Sequence, residues 1–215
     1  MSEFSTIQYE ISDSVARITL DRVETRNAQN KKMLYELNDA FDLAARDDEV
    51  KVIVLAANGP HFSSGHDLAD KDKVTDFDQV SNWGGFAKPG AEGHQAQEEE
   101  IYLGLCWRWR NLPKPTIAEV QGKVIAGGLM LVWVCDLIIA SEDATFSDPV
   151  VAFGVNGVEY FAHPWEFGVR KAKELLFNGV RISALAANPC GMVNHVVPKE
   201  ELTSFTQQMA ARIAQ

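Results

Sequence analysis

The chain has 215 residues, 46% of them apolar and 23% charged, which suits one globular domain with a core of its own, spanning 1–215. Its 20 Lys and Arg stand against 30 Asp and Glu, a net charge of −10, and this excludes the basic field on which nonspecific nucleic-acid binding depends. A small anionic ligand stays compatible, because a few clustered cations outweigh the average locally.

Residues Val15 to Leu20 alternate, with Ala16, Ile18 and Leu20 on one face, and predict a half-buried strand paired with Ile7 to Ile11. A polar segment, Asp21 to Asn30, leads into a helix whose apolar residues Met33, Leu34, Leu37, Ala40, Phe41, Ala44 and Ala45 recur at helical spacing behind an Asn30 cap. The apolar run Val50 to Ala56 reads as a strand covered on both faces, so the first third favours an α/β arrangement. Lys71 to Gly93 shows no period and is read as a mobile flap, followed by a helix over Glu98 to Asn111. Thr116 to Val120 is a short strand, Gly127-Gly128 opens an apolar helix reaching Cys135, and Leu137 to Ala140 is strand again. One helix is expected over His163 to Phe177, a short one from Ser183, a strand over Asn194 to Val197 and a last amphipathic helix over Lys199 to Ile213.

Cys106, Cys135 and Cys190 follow no paired pattern and read as buried, reduced thiols of a cytoplasmic protein. Met1 to Glu10 lacks the basic and apolar regions of a signal peptide, and Leu129 to Cys135 is too short to span a bilayer, so no membrane partner is expected.

Two glycine-containing segments carry the chemistry. His61-Phe62-Ser63-Ser64-Gly65-His66-Asp67-Leu68 follows a buried strand, and Gln121-Gly122-Lys123-Val124-Ile125-Ala126-Gly127-Gly128 joins a strand to an apolar helix. Glycine at a strand end lets the backbone approach a ligand closely, and a helix N-terminus offers free N–H donors. Two such elements together can build an oxyanion hole. His61, His66 and Asp67 also suggest a zinc cluster, but no further matched ligands accompany them and no metal is expected.

Ile18-Thr19-Leu20-Asp21-Arg22 with Arg26-Asn27-Ala28 resembles the opening of the enoyl-CoA hydratase/isomerase (crotonase) family. Phe62 to Leu68 resembles the family's first oxyanion-hole loop, and Ala126-Gly127-Gly128 with Cys135-Asp136-Leu137 its second. Ala144-Thr145-Phe146-Ser147-Asp148-Pro149 and Gly191 to Val197 match later landmarks in order. The resemblance implies an α/β fold, a crotonase-like spiral of ββα units with surrounding helices, and a thioester carbonyl held by the N–H groups of His66 and Gly127. It implies an acyl-CoA partner contacted by Arg26, Ala28, Ser64, Gly65, Asp67 and Leu68, with CoA as part of the substrate and no separate cofactor. It also implies a homotrimer or homohexamer, and it places the cations Arg22, Arg26, Lys31 and Lys32 near the nucleotide end.

Departures from the pattern matter as much. The two glutamates of family hydratases fall on Met130 and Val150, and neither side chain moves a proton. Glu159, His163 and Glu166 are the candidate substitutes, with Glu159 first; His163 also reads as a helix cap and Glu166 as a first-turn carboxylate. The His66 imidazole is a further candidate base. The alternative is a noncatalytic acyl-CoA-binding protein that kept the cradle and lost both glutamates, and an isomerase needing one base is a third reading. Family members continue with helices that cover the acyl pocket, so that C-terminal extension is expected to be absent or truncated here, or the pocket completed by another subunit.

Overall fold

The computed structural model describes residues 4–154 and 157–215. Among the described residues, nine strands form two sheets: β1 (Ile7–Ser12), β2 (Val15–Leu20), β3 (Val52–Ala57), β4 (Thr116–Val120), β6 (Leu137–Ser141) and β9 (His195–Val197) in one, and β5 (Lys123–Ile125), β7 (Thr145–Ser147) and β8 (Ile182–Ser183) in the other. β1 and β2 form an antiparallel hairpin with Ile7 opposite Leu20. Its turn residues Asp13 and Ser14 both have positive φ, 50° and 62°, the sense a two-residue hairpin loop requires. From β2 to β9 the first sheet is parallel.

The chain winds through both sheets by a repeated step. β4 lies in the first sheet, β5 in the second, and helix α4 (Gly127–Trp133) follows; β6 and β7 repeat the step before α5 (Val150–Phe153). One turn earlier, β3 is followed by Ser63, which bridges to Val124 of β5. This is the ββα spiral, and it brings the segment after β3 beside the segment after β5.

β3 is buried on both sides, as its unbroken apolar run requires. Ile53 and Leu55 face the main core with Leu34, Leu37 and Phe41 of α1 (Lys31–Arg46), while Val52 and Val54 face Leu202 and Ala210 of α9 (Leu202–Ile213). The Asn30 cap is present, its Oδ1 accepting from the Met33 N–H at 3.0 Å.

Four expectations need correction. The helix after the flap begins earlier, as α2 (Ala91–Glu98), and continues through a π-helical stretch, Glu99–Gly104, into α3 (Leu105–Arg110). The flap itself is pinned: the buried Glu100 carboxylate accepts from the N–H groups of Val80, Ser81 and Asn82 and from the hydroxyls of Ser81 and Tyr35. The helix expected over 163–177 is two, α6 (His163–Phe167) and α7 (Val169–Asn178), broken at Gly168. Of the cysteines, Cys106 and Cys135 are buried but Cys190 is exposed. No described helix is long and apolar enough to cross a membrane.

Candidate active site

The two glycine segments meet. Residues 26–29 and 64–67 run side by side, with Ser64 N–H donating to Arg26 O, Gln29 N–H to Gly65 O and Asp67 N–H to Gln29 O, at 2.8 to 3.0 Å. Gly65 has φ +90°, and a Cβ there would come 2.6 Å from Ile125 O and 3.2 Å from Gly127 N, so only glycine lets this loop touch the start of α4. Ala126 just before it is strained, with φ 47° and ψ −115°, a conformation that costs on the order of 1–3 kcal/mol and is held by its surroundings. Its N–H is tied to Ser147 O of β7 at 2.9 Å.

The N–H of Gly127 is the first of α4, where no intrahelical acceptor exists. The N–H of His66 points away from its Gln29 partner strand. Neither donates to an acceptor among the described residues. The His66 ring stacks on Tyr102 of the π-helical stretch at 3.8 Å between centroids, and its Nε2 is buried without a hydrogen-bond partner. Burial drives its pKa down to about 4, against the opposing charge of Asp148, so the ring is neutral at pH 7.

Of the residues expected to contact CoA, Arg26, Ala28, Ser64, Gly65 and Asp67 lie on the two paired segments, with Ala28 and Gly65 buried, and Leu68 follows them. Leu68 is 94% exposed. Asp67 is bound to Arg22 at 2.9 Å, and Lys31 to Asp70 at 3.1 Å. Two of the four cations considered for the nucleotide end are thus already neutralised. Lys32 lies 3.9 Å from Glu36, and Arg26 is exposed with no ion pair among the described residues.

Met130 is buried in α4, and Val150 opens α5. One carboxylate, Glu159, comes to the His66–Tyr102 stack from a later segment. Glu159 is joined to the stack by its neighbour, since Tyr160 N–H donates to Tyr102 O at 3.1 Å. Burial lifts the Glu159 pKa to about 7, and the charges of Asp148 and Glu98 push the same way. Glu166 is also lifted to about 7 by burial, partly offset by Arg110. Glu159 and Glu166 line one cavity of about 730 Å³ with Trp107, Arg110, Phe161 and Trp165.

His163 does not cap a helix. Its ring is buried against the edge of Trp133, and its Nε2 lies 2.8 Å from Asp148 Oδ2. Asp148, Glu98 and Tyr102 were not singled out from sequence. Asp148 lies within the Ala144–Pro149 landmark, and Glu98 opens a run of three glutamates beside an apolar helix, a pattern that puts some carboxylate indoors.

The model of the enoyl-CoA hydratase/isomerase family matches residues 10–215. EchA13 of Mycobacterium tuberculosis, which carries an enoyl-CoA hydratase name, is 49% identical, over 99% of this chain and 70% of its own. The crystal structure of a probable enoyl-CoA hydratase from Mycobacterium thermoresistibile superposes with a TM-score of 0.86 at 49% identity, covering 97% of this chain and 80% of that one. An enoyl-CoA hydratase/isomerase of Xanthobacter autotrophicus Py2 gives 0.85 at 36% identity, over 98% and 74%. With these matches along its length and the ββα spiral, the chain belongs to the enoyl-CoA hydratase/isomerase (crotonase) family.

Proposed function

We propose that this protein is an acyl-CoA enzyme that forms a thioester enolate, with the N–H groups of His66 and Gly127 on its oxygen and Glu159 moving the proton at C2. The observation that carries the reading is the pair of unpaired N–H groups brought together by Gly65, at a site where the described polar neighbours leave them available. Such donors act on charge that develops in the transition state, and losing one typically costs about 2.7–4 kcal/mol.

The choice of proton carrier follows from magnitudes. A group works best as acid or base when its pKa lies near the working pH. Glu159, near 7, meets that condition; the His66 imidazole, near 4, is a weak base and stays neutral. Its role is then to wall the site beside Tyr102. CoA runs along the paired segments from Arg26 and Ala28 to Ser64–Leu68, with exposed Leu68 and Arg26 free to meet it, and belongs to the substrate, so no separate cofactor or metal takes part. The working form is a homotrimer or homohexamer in the cytoplasm.

The test is exchange of the C2 hydrogens of a saturated acyl-CoA in D₂O, followed by proton NMR. The parent is expected to exchange them and Glu159→Gln to lose about 10²–10⁴-fold of the rate. The second reading, a noncatalytic acyl-CoA binder, rests on the apolar Met130 and Val150; binding without exchange in the parent would establish it.

A further inference from the structure

Glu98 ends α2 at the point where the helix opens into its π-helical stretch, a feature often found at functional sites. Its Oε2 accepts from the Val158 N–H at 3.1 Å, and its Oε1 lies 3.0 Å from His94 Nε2. The same Oε2 lies 3.0 Å, and Glu159 Oε1 2.9 Å, from the place a Cβ on Gly157 would take. Both carboxylates therefore reach one point from opposite elements, inside the roughly 4–6 Å over which like charges contest ionisation. Four residues along the same stretch, Tyr102 stacks on His66, whose unpartnered Nε2 marks a place for a ligand atom.

We propose that Glu98 is the second carboxylate of the site, taking the proton of an attacking water while Glu159 delivers one to C2 of a 2-enoyl thioester. This rests on the reading of Glu159 above. As the water oxygen bonds to C3, its proton passes to the Glu98 carboxylate. The C2–C3 π pair becomes the C1–C2 double bond of the enolate, and the carbonyl π pair moves onto the thioester oxygen at the His66 and Gly127 N–H groups. The enolate then collapses, and C2 takes the proton of the Glu159 carboxylic acid. The proton left on Glu98 crosses to Glu159 and restores both groups, so the net reaction is addition of water. The two carboxylates differ in surroundings: Glu159 is buried among acids, whereas Glu98 is held by an N–H and a histidine.

The groups facing Glu159 are Asp148 after β7, Glu98 on α2, Tyr102 on the π-helical stretch and Cys106 on α3, with Arg110, Asp136 and Glu166 around the cavity. Removing the Glu98 charge takes away one of the two charges that raise the Glu159 pKa.

The experiment compares parent, Glu98→Gln and Glu159→Gln in two reactions: C2–H exchange of butyryl-CoA and hydration of crotonyl-CoA. Glu159→Gln is expected to lose both. Glu98→Gln is expected to lose hydration by about 10²–10⁴-fold, while its exchange survives with a midpoint moved to lower pH. Circular dichroism and butyryl-CoA binding check that each variant is folded. Glutamine still accepts from Val158, so a merely structural Glu98 would leave hydration within a few-fold of parent, and that result overturns the proposal. A folded Glu98→Gln that loses exchange as fully as hydration overturns it too, as does a parent that exchanges but never hydrates. A parent that exchanges nothing overturns instead the reading of Glu159 on which this one stands.

Discussion

The His66 imidazole lies against the Cα of Gly127, so that a methyl built there would come 2.3 Å from its Cδ2 and 2.5 Å from its Nε2. Glycine at 127 is thus required by a side chain, not by its own backbone angles, since its φ is not among the positive ones. Gly127→Ala is expected to cost about 1–3 kcal/mol, the usual range for overpacking. In a His66→Ala background the same change should cost much less, because the ring is gone, alanine suits a helix, and only Gln29 Oε1, 3.1 Å from the new methyl, must give way. Urea denaturation of the four proteins measures the coupling, and additive effects would mean that the ring does not occupy this place.

Glu100 is the latch of the flap. It is buried and accepts three N–H groups in succession, so its loss strands all of them. Hydrogen bonds to a charged group are worth about 1.5–3 kcal/mol each, and unsatisfied donors add a desolvation cost. Glu100→Ala is expected to destabilise the protein by about 3 kcal/mol or more and to raise amide exchange in residues 74–90 ahead of the sheets. Exchange that rises uniformly, by mass spectrometry, would place the carboxylate in global stability and not in holding the flap.

This latch also shows where sequence reading stops. The hairpin, the Asn30 cap, the doubly covered β3 and both glycine segments were legible, because each depends on neighbours in sequence or on a short period. Glu100 and Tyr102 act across about twenty and about thirty-five residues, through a π-helical stretch that shifts the helical phase and so hides which side faces in. The buried Asp148–His163 contact was missed for the same reason: it links the end of β7 to α6, and His-Pro alone reads as a helix start. The partners of the cations after β2 were hidden as well, since Asp67 and Asp70, which pair with Arg22 and Lys31, come from a loop some forty residues later.

Burial of Glu166 gives stability a pH dependence with a definite sign. Its folded pKa is about 7 against an ordinary value of 4.5, so the folded state holds the extra proton between them. Its contribution is complete below the unfolded value and is lost as pH rises through about 7. Glu159 acts with the same sign. His66, lowered to about 4, acts with the opposite one: its contribution is present above its unfolded value of 6.5 and lost as pH falls through 4. Glu166→Gln cannot titrate, so its Tm at pH 8 relative to pH 5 is expected to lie above the parent's difference. Parallel Tm curves for the two proteins would mean that Glu166 titrates alike folded and unfolded.

The contact between His66 and Gly127 also shapes the decisive test of the oxyanion hole. A proline at 127 removes the N–H, and proline is tolerated at the first position of a helix. Yet proline also brings a Cβ onto the imidazole, so the single variant would confound a lost donor with a displaced ring. The cleaner comparison is made in the His66→Ala background, where position 127 is set to glycine, alanine or proline. The readout is the thioester carbonyl stretch of bound butyryl-CoA by difference infrared, with circular dichroism and binding as controls. Because the proposed donors belong to the main chain, His66→Ala should keep the red shift of the parent, and adding Gly127→Ala should keep it as well. Adding Gly127→Pro should remove most of it, in line with the roughly 2.7–4 kcal/mol that one such donor contributes to the transition state. If His66→Ala alone abolishes the shift while the fold and binding hold, the electrophile is the imidazole Nε2, and the backbone assignment is wrong.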